Sequence, residues 1–107
     1  MAKNVVLLGR LGMIVEDAQR QLGTPDVRLF VATGPDEVRA AFAEADIDHV
    51  IMGAGLDLDI RLQVIREVFV ASDTTTVHMK DFASGPDGFL PFVRSVLAGM
   101  AEYTLSA

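Results

Sequence analysis

The chain contains no cysteine. Disulfides, thiolate metal sites and cysteine nucleophiles are therefore excluded, and a reducing, cytoplasmic setting is expected. Positive charge is scarce as well: 9 Lys and Arg stand against 15 Asp and Glu, a formal net charge of −6. A nucleic-acid binder needs a basic face, and an anionic membrane attracts basic segments, so neither partner is expected of this acidic chain. No stretch approaches the ~20 apolar residues that cross a bilayer. The apolar N-terminus, "MAKNVVLLGRLGMIV", is broken by Arg10 and two glycines, and no small-x-small cleavage site follows it. No secretory leader is expected there.

Familiar chemical signatures are missing too. The chain has no G-x-x-x-x-G-K-[ST] loop, no G-x-G-x-x-G after its first apolar run and no G-x-S-x-G elbow, so nothing nominates a nucleotide loop or a hydrolase serine. Its two histidines, His49 and His78, fall at opposite ends of predicted strands. Without cysteine they make a poor zinc set, and no cofactor or metal is expected.

What the sequence does have is apolar patterning. Half of its 107 residues are hydrophobic, enough for a single globular domain over residues 1–107. Val5-Val6-Leu7-Leu8, closed by Gly9, reads as a strand covered on both faces. Leu11, Ile14, Val15, Ala18 and Leu22 form a helical stripe that Gly23-Thr24-Pro25 ends. A second strand follows over Val27–Ala32, then a helix start at Thr33–Glu37, with Pro35 in the first turn and acids suited to the helix dipole. The third strand is Ile47–Met52, the third helix Leu58–Ala71 and the fourth strand Thr75–Met79. The last helix opens at Ser84-Gly85-Pro86-Asp87. Strict strand–helix alternation predicts parallel strands with right-handed crossovers. The expected fold is α/β: an open four-stranded parallel sheet, order 2-1-3-4, with two helices on each face.

Ligands of such sheets sit at the carboxyl ends of the strands. Those ends deliver Arg10 from the first strand, Gly53 and Gly55 from the third, and His78 and Lys80 from the fourth. Together with the helix starts at Gly34-Pro35 and Gly85-Pro86, these five residues are candidates for an anion site. The same residues also read as the solvated rim of a buried sheet. Asp57 and Asp59 suit a helix cap better than magnesium. His78 lacks an identifiable nucleophile or acid beside it, so catalysis is not expected.

The third helix carries two apolar stripes. Leu58, Leu62, Ile65 and Phe69 form one, sufficient to pack on the sheet. Ile60, Val64, Val68 and Ala71 form another, displaced by roughly a quarter to a third of a turn. One exterior stripe is enough for a domain this small, so the second is expected to be a homodimer interface. The open edge of the fourth strand, "TTTVHM", is the alternative seam.

The chain resembles the receiver domains of response regulators, within the flavodoxin-like class, with one β-α unit lost. "DHVIMGAGLDLD" (48–59) is similar to the receiver's third strand and loop. "KDFASGPDGFLPFVRSVL" (80–97) is similar to its last unit, where a lysine ends the strand. The resemblance implies a signalling fold, but Gly9 and Arg10 stand where receivers carry their acid pair. Gly53 stands at the phospho-acceptor, and Asp81 follows Lys80 in place of proline. The expected function is a non-catalytic, homodimeric interaction or regulatory domain that is not phosphorylated. The alternative is a binding protein or small enzyme for an anionic metabolite or nucleotide at the C-terminal edge of the sheet.

Overall fold

The computed structural model describes residues 3–10, 12–22 and 26–100, the side chains of Met13, Ile14 and Met100 excepted. Leu11 and the Gly23-Thr24-Pro25 break lie outside the described residues. Strands β1 (Lys3–Leu8), β2 (Val27–Ala32), β3 (His49–Met52) and β4 (Thr76–Met79) alternate with helices α1 (Gly12–Leu22), α2 (Pro35–Glu44), α3 (Leu58–Ala71) and α4 (Phe89–Met100). A single 3₁₀ turn, Pro86–Gly88, precedes α4. All strand pairs are parallel, in the order β2-β1-β3-β4. This is the predicted open, flavodoxin-like sheet.

The topology distributes the helices. A right-handed crossover from β1 to β2 puts α1 on one face. The chain then reverses direction, crossing from β2 past β1 to β3 and on to β4, so α2 and α3 fall on the opposite face. The packing agrees. Val6, Leu8, Val50 and Met52 meet Val38 and Ala41 of α2 and Val64 and Val68 of α3. Val5, Leu7 and Ile51 meet Val15 and Ala18 of α1 and Phe89 and Val93 of α4. Alternate residues of β1 thus serve two separate cores, and Val5 to Leu8 have no exposed surface at all. This is why β1 reads as an unbroken apolar run.

Strands β3 and β4 begin slightly later than predicted, at His49 and not Ile47 and at Thr76 and not Thr75, while β1 begins earlier, at Lys3. Where the two strands enter the sheet, the Thr75 hydroxyl donates to the Ile47 carbonyl at 2.6 Å. At the start of α2, Pro35 occupies the first turn, and Glu37 accepts from both the backbone N–H and the hydroxyl of Thr33. Among the described residues no helix is long and apolar enough to cross a membrane.

The rotational setting of α3 corrects one expectation. Val64 and Val68, predicted at a dimer interface, are fully buried in the core, and Ile60 packs beside them. Ala71, the fourth residue of that stripe, is exposed at the end of the helix. The predicted sheet-packing stripe is the one that faces outward: Leu58, Leu62 and Phe69 are each more than half exposed. The valine stripe meets the sheet beside Val6, Leu8 and Val50, the Glu67 side of α3 faces α2, where Arg39 holds Glu67 at 2.6 Å, and the Leu58–Phe69 flank is turned away from α2.

Candidate functional site

Because α1 and α3 leave on opposite faces, the loops following the adjacent strands β1 and β3 diverge and leave a crevice between them. A cleft of about 520 Å³ opens there on the α4 side, lined by Gly9, Arg10, Gly53, Gly55, Lys80 and Phe89, with Phe82, Ala83 and Pro86 from the loop after β4. A smaller hollow of about 190 Å³ lies on the other side, bordered by Arg10, Thr33, Gly34, Asp57 and Ile60. Arg10 is common to both. Four of the five anion-site candidates, Arg10, Gly53, Gly55 and Lys80, therefore meet in one place, and His78 is absent from it.

Lys80 is the unusual member. Its backbone N–H extends the β3–β4 ladder by donating to the Met52 carbonyl at 2.9 Å, which fixes the direction of its side chain. That side chain is only 3% exposed. Its ammonium donates to the Asp81 carbonyl at 2.9 Å, and the Asp81 carboxylate lies 3.9 Å away. An ammonium can donate three hydrogen bonds. The stem of Lys80 needs the missing side chain of Gly88, where a Cβ would stand 3.1 Å from Lys80 Cε and 2.7 Å from Ser84 Oγ.

The loop over Lys80 is braced locally. The Ser84 hydroxyl donates to the Asp81 carboxylate, and the Gly85 N–H donates to the Phe82 carbonyl. Gly85 itself has φ +68°, a conformation that glycine adopts without the strain of a side chain. The turn leaves Phe82 at the cleft mouth, 84% exposed.

Two of the glycine amides are already engaged. The Gly9 N–H is taken by the Ala32 carbonyl and the Gly53 N–H by the Leu8 carbonyl. What these residues supply is space. A Cβ on Gly9 would stand 2.7 Å from Val15, and one on Gly55 would stand 3.4 Å from the stem of Arg10. Likewise the Gly85-Pro86 start is a single 3₁₀ turn whose Gly88 N–H is already bonded to Gly85. The site is thus two cations on an apolar cleft. Arg10 is exposed and makes no ion pair among the described residues.

His78 belongs to another group. Its Nε2 lies 2.9 Å from the Thr76 hydroxyl, whose oxygen is also 2.6 Å from Nδ1 of His49. Nε2 of His49 is buried with no partner among the described residues. One proton arrangement satisfies this: His49 Nδ1–H donates to Thr76, Thr76 donates to His78 Nε2, and the bare His49 nitrogen carries no hydrogen. Burial lowers the pKa of both rings below the ordinary histidine value. For His49, Asp48 opposes the shift, while His78 and Lys3 reinforce it. The unfolded chain therefore takes up protons first, and stability falls as pH drops through about 6.5, levelling off below the folded-state values. Glu67, whose pKa is lowered chiefly by its bond to Arg39, loses its contribution only at more acid pH. The urea midpoint is expected to fall between pH 7.5 and pH 5, and a His49→Asn, His78→Asn double variant should flatten that slope. An unchanged slope would remove the histidines as its source.

Asp57 occupies the N-cap of α3 but makes no side-chain capping bond, and Asp59 lies in the first turn. Among the described residues no group of three or more His, Cys, Asp or Glu is placed to hold a metal. The apolar lining (Val15, Phe82, Ala83, Phe89) is the part that sequence reasoning missed. Phe82 is the signal that was there to find: a large apolar residue inside the polar loop "KDFASGPDG". No protein-family model, no curated protein and no solved structure matches the chain.

Proposed function

We propose that this domain is a non-catalytic binder of a small anionic molecule with an apolar body, held at the C-terminal edge of the sheet between Arg10 and Lys80. The observation that carries this reading is the enclosed ammonium of Lys80, with one carbonyl acceptor and a carboxylate beyond hydrogen-bond distance. A charge withdrawn from water is costly unless it is paired and fully hydrogen-bonded, and a ligand oxyanion completes that shell. Arg10, which makes no ion pair among the described residues, adds a second cation to the cleft. The volume of about 520 Å³ lies within the range usual for small-molecule sites, about 300–1,000 Å³. Phe82, Phe89 and Pro86 offer the walls for an apolar moiety.

The resemblance to receivers supports the same place, since Lys80 stands at the end of its strand where the receiver lysine stands. Gly9, Arg10 and Gly53 replace the acids, so a bound anion takes the position of a phosphorylated side chain and the chain needs none of its own. Catalysis is not part of the reading. Among the described residues that line the cleft no hydroxyl stands beside a base, the nearby Ser84 hydroxyl is bonded to Asp81 in bracing the loop, and His78 is engaged with Thr76.

The test is a thermal-shift and NMR titration series: inorganic phosphate, aliphatic carboxylates, aromatic carboxylates and nucleoside monophosphates. Members with both an anionic end and a flat apolar body should stabilise most, and shifted amides should cluster at residues 9–10, 53–55 and 80–86. Arg10→Ala should weaken that binding by about tenfold, the worth of one hydrogen bond between charged groups. A series in which no member stabilises the protein, or in which shifts fall elsewhere, overturns the reading.

A further inference from the structure

The outward flank of α3 has a spacing that reads the same in both directions. Leu58, Leu62, Ile65 and Phe69 are separated by four, three and four residues, and at about 100° per residue they lie within one narrow stripe. Leu58 is 60% exposed, Leu62 57% and Phe69 55%, whereas Ile65 is half-buried against the core beneath. We infer that this flank pairs with the same flank of a second copy of the chain, the two α3 helices running antiparallel about a two-fold axis between residues 63 and 64.

The palindromic spacing lets a second copy fit. A two-fold interface matches residue i with j and j with i. An axis at that point sets Leu58 against Phe69 of the second copy and Leu62 against its Ile65, so every large residue of the stripe meets another. A spacing without this symmetry would leave some of them facing gaps.

Charge points the same way. Asp59 and Arg66 both border the stripe on one side, two turns apart, and both are exposed. Neither makes an ion pair among the described residues, so both are available to a partner. The two-fold pairing brings Asp59 within about two residues' rise, ~3 Å along the axis, of the level of Arg66 in the second copy, a distance the long arginine side chain spans. The pairing thus forms two equivalent salt bridges, one at each end. One helix pair buries less than the ~800 Å² per partner of a standard interface, so the association is reversible and concentration-dependent.

Sedimentation velocity on the full chain from micromolar to near-millimolar concentration tests this. The wild type should move from monomer mass toward twice that mass as concentration rises. Leu62→Glu should remain monomeric throughout with an unchanged far-UV circular dichroism spectrum, since position 62 is outside the core. Asp59→Arg should weaken dimerisation several-fold, and adding Arg66→Asp to it should restore wild-type association. A wild type that stays monomeric over the whole range overturns the inference. So does a Leu62→Glu variant that associates like the wild type, or a double charge reversal that fails to recover what the single one lost.

Discussion

A chain carrying Val64→Glu is expected to be unfolded at room temperature. Position 64 has no exposed surface and sits among Val6, Leu8, Val50 and Met52 in the core under α2 and α3. The substitution forfeits about 1.5–3 kcal/mol of valine burial. It also places a carboxylate where nothing can pair with it, at several kcal/mol even after relaxation. Protonating the carboxyl lowers that cost but leaves a longer polar side chain in a filled space. Against a total stability of about 5–15 kcal/mol, such a sum removes most or all of it. Far-UV circular dichroism and a urea titration check the outcome. Leu62→Glu, two residues away on the outward flank, is the control and should retain a cooperative transition within about 0.5 kcal/mol of wild type. A Val64→Glu chain that unfolds at the wild-type urea midpoint would mean that the valine stripe does not face the sheet.

Lys80→Met is expected to move two properties in opposite directions. Methionine keeps the length and apolar stem of lysine but removes a charge from a place where its side chain is 3% exposed. Replacing a buried charge by an apolar side chain of similar size is often neutral or stabilising, by up to about 4 kcal/mol. The ligand-free melting temperature should therefore hold or rise, by several degrees for each kcal/mol in a domain this small. The stabilisation by anionic ligands should meanwhile disappear, because the enclosed cation that organises their binding is gone. Calorimetry with and without the best ligand of the titration series reads both effects. A variant that is markedly less stable yet responds to ligand as the wild type does would make Lys80 a structural residue, its ammonium serving only the Asp81 carbonyl.

The fold was legible because it is written in period and punctuation. The runs Val5–Leu8 and Val27–Ala32, the helix start at Pro35 and the glycines after β1 and β3 mark alternating strands and helices, which parallel pairing and right-handed crossovers join into an open sheet. The rotation of α3 was not legible. Its apolar residues cover a wide arc whose two shoulders are equally hydrophobic, and composition cannot say which shoulder faces the sheet. The choice depends on partners distant in sequence: Val64 and Val68 pack beside Val6, Leu8, Val38 and Val50. The candidate site was half legible. Arg10, Gly53, Gly55 and Lys80 could be placed together because strand ends converge at a known point. His78 was grouped with them because it is two residues from Lys80, but alternation along a strand gives neighbours at that distance the same face and not the same depth. His78 falls within the ladder beside Ile51, while Lys80 takes its last bond, to Met52, at the rim where the strand gives way to the loop. The apolar lining comes from loop and helix residues that meet only after folding.

The position of β4 in the sheet bears on how the cleft opens. β1 is hydrogen-bonded on both sides and lies in two cores, so its amides should exchange with solvent only when the whole domain unfolds. β4 is four residues long, borders a single neighbour and carries an exposed Met79. Short edge strands with few buried contacts belong to the part of a protein that opens locally, without global unfolding. The loop bearing Lys80 and Phe82 hangs directly from that strand. Access to the enclosed cation is then a sub-global event with its own, smaller free energy. On the proposed reading, a molecule bound there would steady this edge of the sheet and leave the β1 centre unaffected.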